Sequence, residues 1–307
     1  MENQTYWKTH YVVETDVDEI ERNIKLTNFI SGGQSFELVY FEKDKNAPNV
    51  LISPGSAGHA YVFAELGYQM YRRGYNVFVM PKEGGHTVDE LMPRHTDALK
   101  YITKNFNERI GVFAEGLGGY VVFYLALTGT NLIKSLVFQN APAILTEKGW
   151  REAIFGGKGA AGRRKLILPF AKVLVKIFPN IKLPIRLYLD FKELVDTKEE
   201  NRKIEAPRIE AFLRDPDFDT SYPLRAIMSL VSTSPPNPPS ALKIPTMFLV
   251  PVRGFGGNAY VNYAKDLFSR LTLVKKRFLE VDGSVFWMCS HPKEAAQVIC
   301  DWFGETL

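Results

Sequence analysis

Short apolar runs alternate with helical patterns from Asn49 onward, and this alternation limits the possible folds more than any other feature. Each run has four or five residues rich in Val, Leu, Ile and Phe and is typical of a strand buried on both faces. The runs are Val50–Ser53, Asn76–Met80, Ile110–Phe113, Ser135–Phe138 and Thr246–Val250. Helical patterns lie between the first four, at Ala60–Arg72, Val88–Phe106 and Leu117–Leu127. This order predicts an α/β protein with a mostly parallel, twisted sheet flanked by helices on both faces.

Further strands and one further helix are predicted before and after these runs. Two alternating segments, around Tyr11–Glu14 and Ser35–Glu42, predict strands near the start, with Ser31–Gln34 as a turn between strands. A strand at Lys276–Val281 and a helix at Pro292–Phe303 complete the predicted set.

The alternation stops after the fourth apolar run and resumes at the fifth. The intervening stretch ends in a proline-rich run, Ser234–Pro239, which is typical of a stiff connection. We therefore predict a core of residues 1–142 and 242–307, with residues 143–241 inserted as a helical lid over the carboxyl edge of the sheet.

Composition excludes several classes of protein. Of the 307 residues 46% are hydrophobic, which supports a large core and argues against disorder. A net charge of +4 is too small by itself to indicate a nucleic-acid partner. The two cysteines, Cys289 and Cys300, form no disulfide or metal pattern and fit a reducing compartment. Because we find no apolar leader or spanning run, we expect a cytoplasmic protein without a transmembrane segment.

The region around Gly116 has the features of a strand that turns sharply into a helix. Small residues flank the turn at Ala114, Gly118 and Gly119. A nucleophile elbow requires such residues because its turn is tight and its helix packs close to the strand. The central position of the elbow, where a serine, cysteine or aspartate would stand, is Gly116.

Four motifs of this chain resemble the α/β-hydrolase superfamily, in particular its lid-bearing branch similar to monoglyceride lipases and esterases. They are Ser53–Ser56, in place of the family's oxyanion loop, Arg72–Val77, its helix-to-strand turn, Ala114–Gly119, its elbow, and Ile244–Thr246, the start of its acid-bearing strand. The resemblance covers roughly Asn49–Ala141 and Ile244–Phe303 and implies an α/β-hydrolase fold. It also implies a catalytic triad in the order nucleophile, acid, base.

The positions that the resemblance gives to the acid and the base carry no ionisable side chain. The acid is expected near Gly254 or, after the preceding strand, near Asn140, and the base is expected near Val285. Without a base and an acid no hydroxyl is activated for acyl transfer. We therefore predict a protein that lacks the serine-hydrolase triad at Gly116, Gly254 and Val285.

Three ionisable residues near the carboxyl edge are candidates for other chemistry: His59, His86 and Glu115. The histidines suit acid–base work near neutral pH, and burial beside the elbow raises a carboxyl pKa. Structural alternatives stay open, since His59 also fits a helix start bonded to backbone, His86 a solvated loop, and Glu115 a support for the turn. We expect His95 to pack or face water within its helix and His291 to cap the last helix.

A lid-covered apolar pocket is the predicted binding site. Its wall is expected to include Ser56, His59, Tyr61, Glu83, Gly116, Leu117, Phe255, Val285 and Phe286. No metal-ligand spacing and no dinucleotide motif is present, so we expect no metal and no cofactor. The first hypothesis is a protein that binds a small apolar or lipid-like molecule. The second is an enzyme that uses His59, His86 or Glu115, and the third, a conventional esterase, requires a nucleophile elsewhere.

One segment of the insert, Arg163–Phe178, is both basic and strongly apolar. It is a candidate for peripheral contact with an anionic membrane surface or for a lipid-like ligand. The alternative is a lid helix that buries its apolar face on the sheet.

Overall fold

A computed structural model of the protein describes residues 3–56, 58–150, 174–185, 194–254 and 257–307. Its strands are β1 (Lys25–Ser31), β2 (Gln34–Phe41), β3 (Asn49–Ser53), β4 (Asn76–Val79), β5 (Ile110–Glu115), β6 (Ser135–Gln139), β7 (Lys182–Pro184), β8 (Ser221–Pro223), β9 (Thr246–Pro251) and β10 (Lys276–Val281). Eight of them form one sheet in the order β1-β2-β4-β3-β5-β6-β9-β10. From β4 to β10 the neighbouring strands pair in parallel, and β2 pairs antiparallel with both β1 and β4.

Helices cover both faces of this sheet. Those described over their full extent are α1 (Asn3–His10), α2 (Val17–Asn23), α3 (Ala64–Arg72), α4 (Val88–Asn105), α5 (Gly116–Leu127), α6 (Glu199–Arg214), α7 (Leu224–Ser232), α8 (Gly257–Ser269), α9 (Trp287–Ser290) and α10 (Pro292–Thr306). Side chains of α3 and α10 pack in one core cluster, and those of α4, α5 and α8 pack in the other. The strands β3, β4, β6 and β9 are buried along their whole length, as the apolar runs predict.

The predicted strand at Tyr11–Glu14 is wrong. The strand that pairs with β2 is Lys25–Ser31, whereas Tyr11–Glu14 is an irregular connection between α1 and α2. Its backbone N–H groups at Val13 and Glu14 donate to the Glu65 carboxylate, at 2.8 and 2.9 Å. A side chain of α3 therefore satisfies the donors that a neighbouring strand would have satisfied.

The segment between β6 and β9 contains α6, α7 and the two-stranded sheet of β7 and β8 among its described residues. The N-terminal segment packs against it, since Tyr6 Oη donates to the carbonyl of Ala211 at 2.8 Å and Arg208 donates to that of Tyr11 at 2.6 Å. The division into a core and an inserted lid stays a prediction. Most of Arg163–Phe178 lies outside the described residues, as does Phe255.

Candidate functional site

The turn from β5 into α5 has the backbone geometry of an elbow. Gly116 is the first residue of α5 and has a φ of +54°, a left-handed conformation that glycine adopts without steric cost. A Cβ at this position would lie 3.2 Å from the Cα of Gly55, so the loop after β3 passes close to the turn. Gly118 packs against Ser53 with no room for a side chain. Gly116 itself is exposed, and the central position of the elbow therefore faces open space without a side chain.

Glu115 places a carboxyl group beside this open position. Its oxygens lie next to Gly55, where a Cβ would be 2.5 Å from Oε2, so the side chain reaches toward the loop after β3. Burial raises the pKa of Glu115 to about 7, although the backbone N–H of Gly55 opposes the shift. The residue as a whole nevertheless keeps intermediate exposure. A carboxyl group in this state exchanges a proton near neutral pH.

Gln139 connects this region to the position expected for the base. In the parallel register Gln139 is the partner of Glu115, at the end of the next strand. Its amide nitrogen donates to the carbonyl of Val285 at 3.0 Å, and its Oε1 is buried without a hydrogen-bond partner. The base position thus carries a buried valine whose main chain is bound to the end of β6. The neighbouring Asn140 has a φ of +65° and an unpartnered, buried Oδ1.

The position expected for the acid follows β9. Gly254 has a φ of +84° and carries no side chain. The preceding Arg253 forms an ion pair with Asp282 and lies 3.8 Å from a carboxylate oxygen of Asp196. The charge nearest to Gly254 along the chain is therefore a cation held by two carboxylates.

His59 binds a carboxylate instead of the backbone. Its Nε2 lies 2.8 Å from Oδ2 of Asp215, the residue that ends α6, and Tyr11 donates to the same carboxylate. Burial alone would raise the pKa of Asp215, but the hydrogen bonds from His59 and Tyr11 outweigh it and hold the pKa below its ordinary value. Since an ionised carboxylate only accepts, Nε2 carries the proton, and Nδ1 is left buried without a partner.

Aromatic contacts join several of the predicted wall residues. His59 lies 6.2 Å from Tyr61 and 5.8 Å from Tyr11, measured between ring centroids. Phe212 of α6 lies 5.0 Å from Tyr11 and 5.5 Å from Phe286, the residue after Val285. A continuous aromatic cluster therefore runs from the loop after β3, across the segment after α1 and α6, to the loop after β10, and its members Tyr11 and Phe212 are buried.

His86 is directed toward α4 instead. Arg94 donates to its Nδ1 at 3.2 Å, and Glu90 lies 3.6 Å away. Burial and the charge of Arg94 lower the pKa of His86, so it is neutral at physiological pH.

Sequence reasoning missed a buried network beneath the elbow. His95 was expected to pack or face water, yet its Nε2 lies 2.8 Å from Ser53 Oγ and 2.9 Å from Glu83 Oε1, and its Nδ1 donates to the carbonyl of Leu91 at 2.9 Å. Ser53, Glu83 and His95 are all fully buried. Glu83, which was predicted to line the pocket, therefore belongs to this buried network instead. Ser56, which was also predicted to line the pocket, packs with its backbone against Gly84.

His291 also differs from the expectation. It stands at the start of α10, but its side chain makes no capping hydrogen bond, and its Nδ1 is buried without a partner.

The described residues contain neither a metal-ligand cluster nor a membrane-spanning helix. Across the described ranges no group of three or more His, Cys, Asp or Glu side chains is placed to hold a metal ion. No helix in this part of the chain is long and apolar enough to cross a membrane.

Comparison with known proteins gives similarity in structure but not in sequence. No family model and no curated protein matches the chain. A soluble variant of monoglyceride lipase from Saccharomyces cerevisiae, in complex with a substrate analog, superposes with a TM-score of 0.70 at 13% identity, covering 97% of this chain and 98% of that one. Monoacylglycerol lipase from Paleococcus ferrophilus gives a TM-score of 0.62 at 18% identity, covering 92% and 98%. A mutant epoxide hydrolase from Solanum tuberosum gives 0.57 at 16%, covering 92% and 99%.

These similarities extend over nearly the whole length of each protein, but the identities are too low to transfer a function. They agree with the observed strand order, the elbow between β5 and α5, and the sequence motifs. The chain therefore has the α/β-hydrolase fold.

Proposed function

We propose that this protein binds a small apolar, lipid-like molecule at the carboxyl edge of the sheet and does not hydrolyse it through a Ser–Asp–His triad. The observation that carries this proposal is Gly116, since the elbow has its tight turn and open surface but no atom that can attack a carbonyl. Gly254 and Val285, at the acid and base positions, contribute no ionisable group.

The surroundings favour an apolar ligand. Tyr61 and Phe286 are partly exposed members of the aromatic cluster, and the buried Phe212 and Val285 pack in the same core cluster. Such a wall with few polar groups is typical of small-molecule sites. Two similar structures are lipases that act on monoacylglycerols, which agrees with a lipid-like ligand. In this proposal residues 143–241 form the lid.

Displacement of the fluorescent probe anilinonaphthalene sulfonate by decyl esters tests the proposal. We expect saturable displacement that Phe286→Asp weakens, because the new charge lies in the apolar wall. Leu279→Asp, on the exposed part of β10, is the matched control and should bind as the wild type does. Absence of displacement, or equal loss in both variants, would contradict binding at this site.

A second candidate function is a non-hydrolytic enzyme in which Glu115 moves a proton. It is favoured by the pKa of Glu115, about 7, and by the position of this carboxyl beside the open elbow. Nitrobenzisoxazole is a suitable probe, because removal of its C–H proton by a carboxylate breaks the N–O bond and releases a coloured phenolate. We expect a rate that follows ionisation of Glu115 and is lost in Glu115→Gln. A rate that falls instead in His59→Gln or His86→Gln would assign the base to a histidine.

One described stretch of the insert, residues 174–182, also supports peripheral membrane contact. Four large apolar side chains are exposed within this short stretch, namely Leu174, Ile177, Phe178 and Ile181. Lys176 and Lys182 lie among them, which fits a surface of anionic lipid. The double change Ile177→Asp and Phe178→Asp should abolish sedimentation with phosphatidylserine vesicles. Val274→Asp, at a fully exposed position outside this stretch, should leave sedimentation unchanged.

A further inference from the structure

Glu115 and Gln139 together form the polar end of the proposed ligand site. They are register partners on adjacent parallel strands that lie about 5 Å apart, so their side chains leave the same face of the sheet. Glu115 is partly exposed and lies next to the exposed Gly116, whereas Gln139 is buried.

Gln139 is a buried acceptor that lacks a donor. Only 1% of its surface is exposed, its amide nitrogen is bound to Val285, and its Oε1 has no partner. An unsatisfied buried acceptor destabilises the fold, so its presence is explained where another molecule supplies the donor. The next residue, Asn140, repeats the pattern, with an unpartnered Oδ1 and a φ of +65° that is costly for a residue with a side chain.

We propose that Gln139 Oε1 and the Glu115 carboxyl receive a hydrogen-bond-donating head group, a hydroxyl or an amine, at the end of an otherwise apolar ligand. This inference rests on the proposed function and names the class of ligand. A carboxylate head is disfavoured, because it would bring only acceptors and a like charge toward Glu115.

The ionisable groups around Glu115 decide how its ionisation can be followed. Tyr260 of α8 and Cys289 of α9 interact electrostatically with Glu115. Burial raises the pKa of the Cys289 thiol to about 12 and that of Tyr260 higher still. Arg208 also interacts electrostatically with Cys289. Glu205, whose pKa burial also raises, acts on Cys289 as well, so the variant Glu115→Gln is needed to assign a change in ligand affinity near neutral pH to Glu115.

A matched series of dodecanol, dodecylamine and dodecanoate tests the head group. Their dissociation constants are measured by calorimetry from pH 5 to pH 9, which spans about two units on either side of the pKa of Glu115. We expect dodecanoate to bind about tenfold more weakly than the better of the other two above neutrality, the effect of one lost hydrogen bond. Affinity for dodecylamine that rises as Glu115 ionises assigns an amine. Tighter binding of dodecanol at every pH assigns a hydroxyl.

Variants separate recognition from a purely structural role of these residues. Glu115→Gln should remove the pH dependence of ligand affinity and reduce the difference in affinity between dodecanoate and the donor-bearing ligands. Glu108→Gln, which changes an exposed carboxylate, should do neither. Gln139→Met should reduce affinity for the donor-bearing ligands but not for dodecane, with the unfolding transition recorded to show that the fold is retained. If dodecanoate binds as tightly as dodecanol and dodecylamine, or if Glu115→Gln leaves their relative affinities unaltered, the head-group inference is overturned but the proposed function is not. Failure of all the ligands, dodecane included, overturns the proposed function as well.

Discussion

A glycine at position 116 gives the elbow its turn but no reactive atom. Its φ of +54° is free of strain for glycine and costs about 1–2 kcal/mol for a residue with a side chain. Enzymes accept that cost to present a nucleophile above the sheet. In this chain the same backbone presents only Cα, and the nearest ionisable group along the chain is Glu115.

We expect Gly116→Ser alone to give no esterase activity above background and no labelling by a fluorophosphonate. A serine without a base stays protonated and is a weak nucleophile. The left-handed φ and the 3.2 Å approach of Gly55 should also lower the free energy of unfolding by about 1–2 kcal/mol. Gly116→Ser with Gly254→Asp and Val285→His is the minimal repair. Strong activity from the single change would show that a histidine already reaches the elbow.

The ionisation of Glu115 should be visible in stability. Because burial raises its pKa from 4.5 to about 7, the folded protein loses stability as pH rises between these values. Glu115→Gln should therefore equal the wild type in acid and exceed it above neutrality by on the order of 1–2 kcal/mol, less than the full shift implies because the side chain is partly exposed. Urea unfolding at several pH values, with Glu108→Gln as the control, measures this. Parallel curves for both variants would contradict it.

At the scale of elements, the network beneath the elbow joins β3, the loop after β4, and α4. Ser53 comes from the first of these, Glu83 from the second and His95 from the third. Burial lowers the pKa of His95, but the Glu83 carboxylate outweighs this and raises it overall. The start of α5 packs directly on Ser53, so the network supports the elbow from below.

His95→Gln should lower the free energy of unfolding by about 3–5 kcal/mol, since it leaves Glu83 buried without its partner. Because the folded pKa of His95 is raised above 6.5, this stabilisation is complete below that pH and is lost as pH rises through the folded value. The deficit of the variant should therefore shrink in alkaline solution. His10→Gln, at an exposed histidine, is the control. A deficit that grows with pH would exclude the ion pair.

The sequence predicts best those elements whose surroundings admit only apolar residues. Val50–Ser53 and Thr246–Val250 are buried on both faces and must be apolar, so their pattern identifies them. Tyr11–Glu14 alternates in the same way, but Glu65 rather than a strand satisfies its backbone. Four alternating residues do not distinguish the two cases.

The same limit applies to the site. Gly116 and Glu115 were predicted as site residues because an elbow is a local motif. The pairing of His59 with Asp215 was not, because 156 positions separate them and neither residue type signals the other. Gln139 had a usable signal, as a polar residue ending an apolar strand beside the expected acid position.

At the scale of the whole molecule, the N-terminal segment connects the insert to the core. Trp7 is buried and stacks on Tyr61 of the loop after β3, with ring centroids 5.6 Å apart. Tyr11 and His59 both bind Asp215 at the end of α6. The Asp215 carboxylate thus joins the segment between β6 and β9 to the N-terminal segment and to the loop after β3.

Asp215→Asn should lower the free energy of unfolding by about 3 kcal/mol, because the partners of a buried charge are left behind. The folded pKa of Asp215 is depressed, so its stabilisation is present above the ordinary value of 3.8 and is lost as pH falls through the folded value. Asp89→Asn, at an exposed position, should have little effect. Denaturant curves at neutral and acid pH measure this, and an undiminished difference in strong acid would contradict the assignment.

The central claim is that a ligand occupies the open elbow without acyl transfer, and p-nitrophenyl decanoate tests both halves in one sample. We expect the ester to displace anilinonaphthalene sulfonate in a saturable manner while p-nitrophenolate appears no faster than in buffer. The intact mass of the protein should stay unchanged after incubation. A burst of about one p-nitrophenolate per protein chain, with a decanoyl group added to the mass, would show an acyl-enzyme and contradict the account.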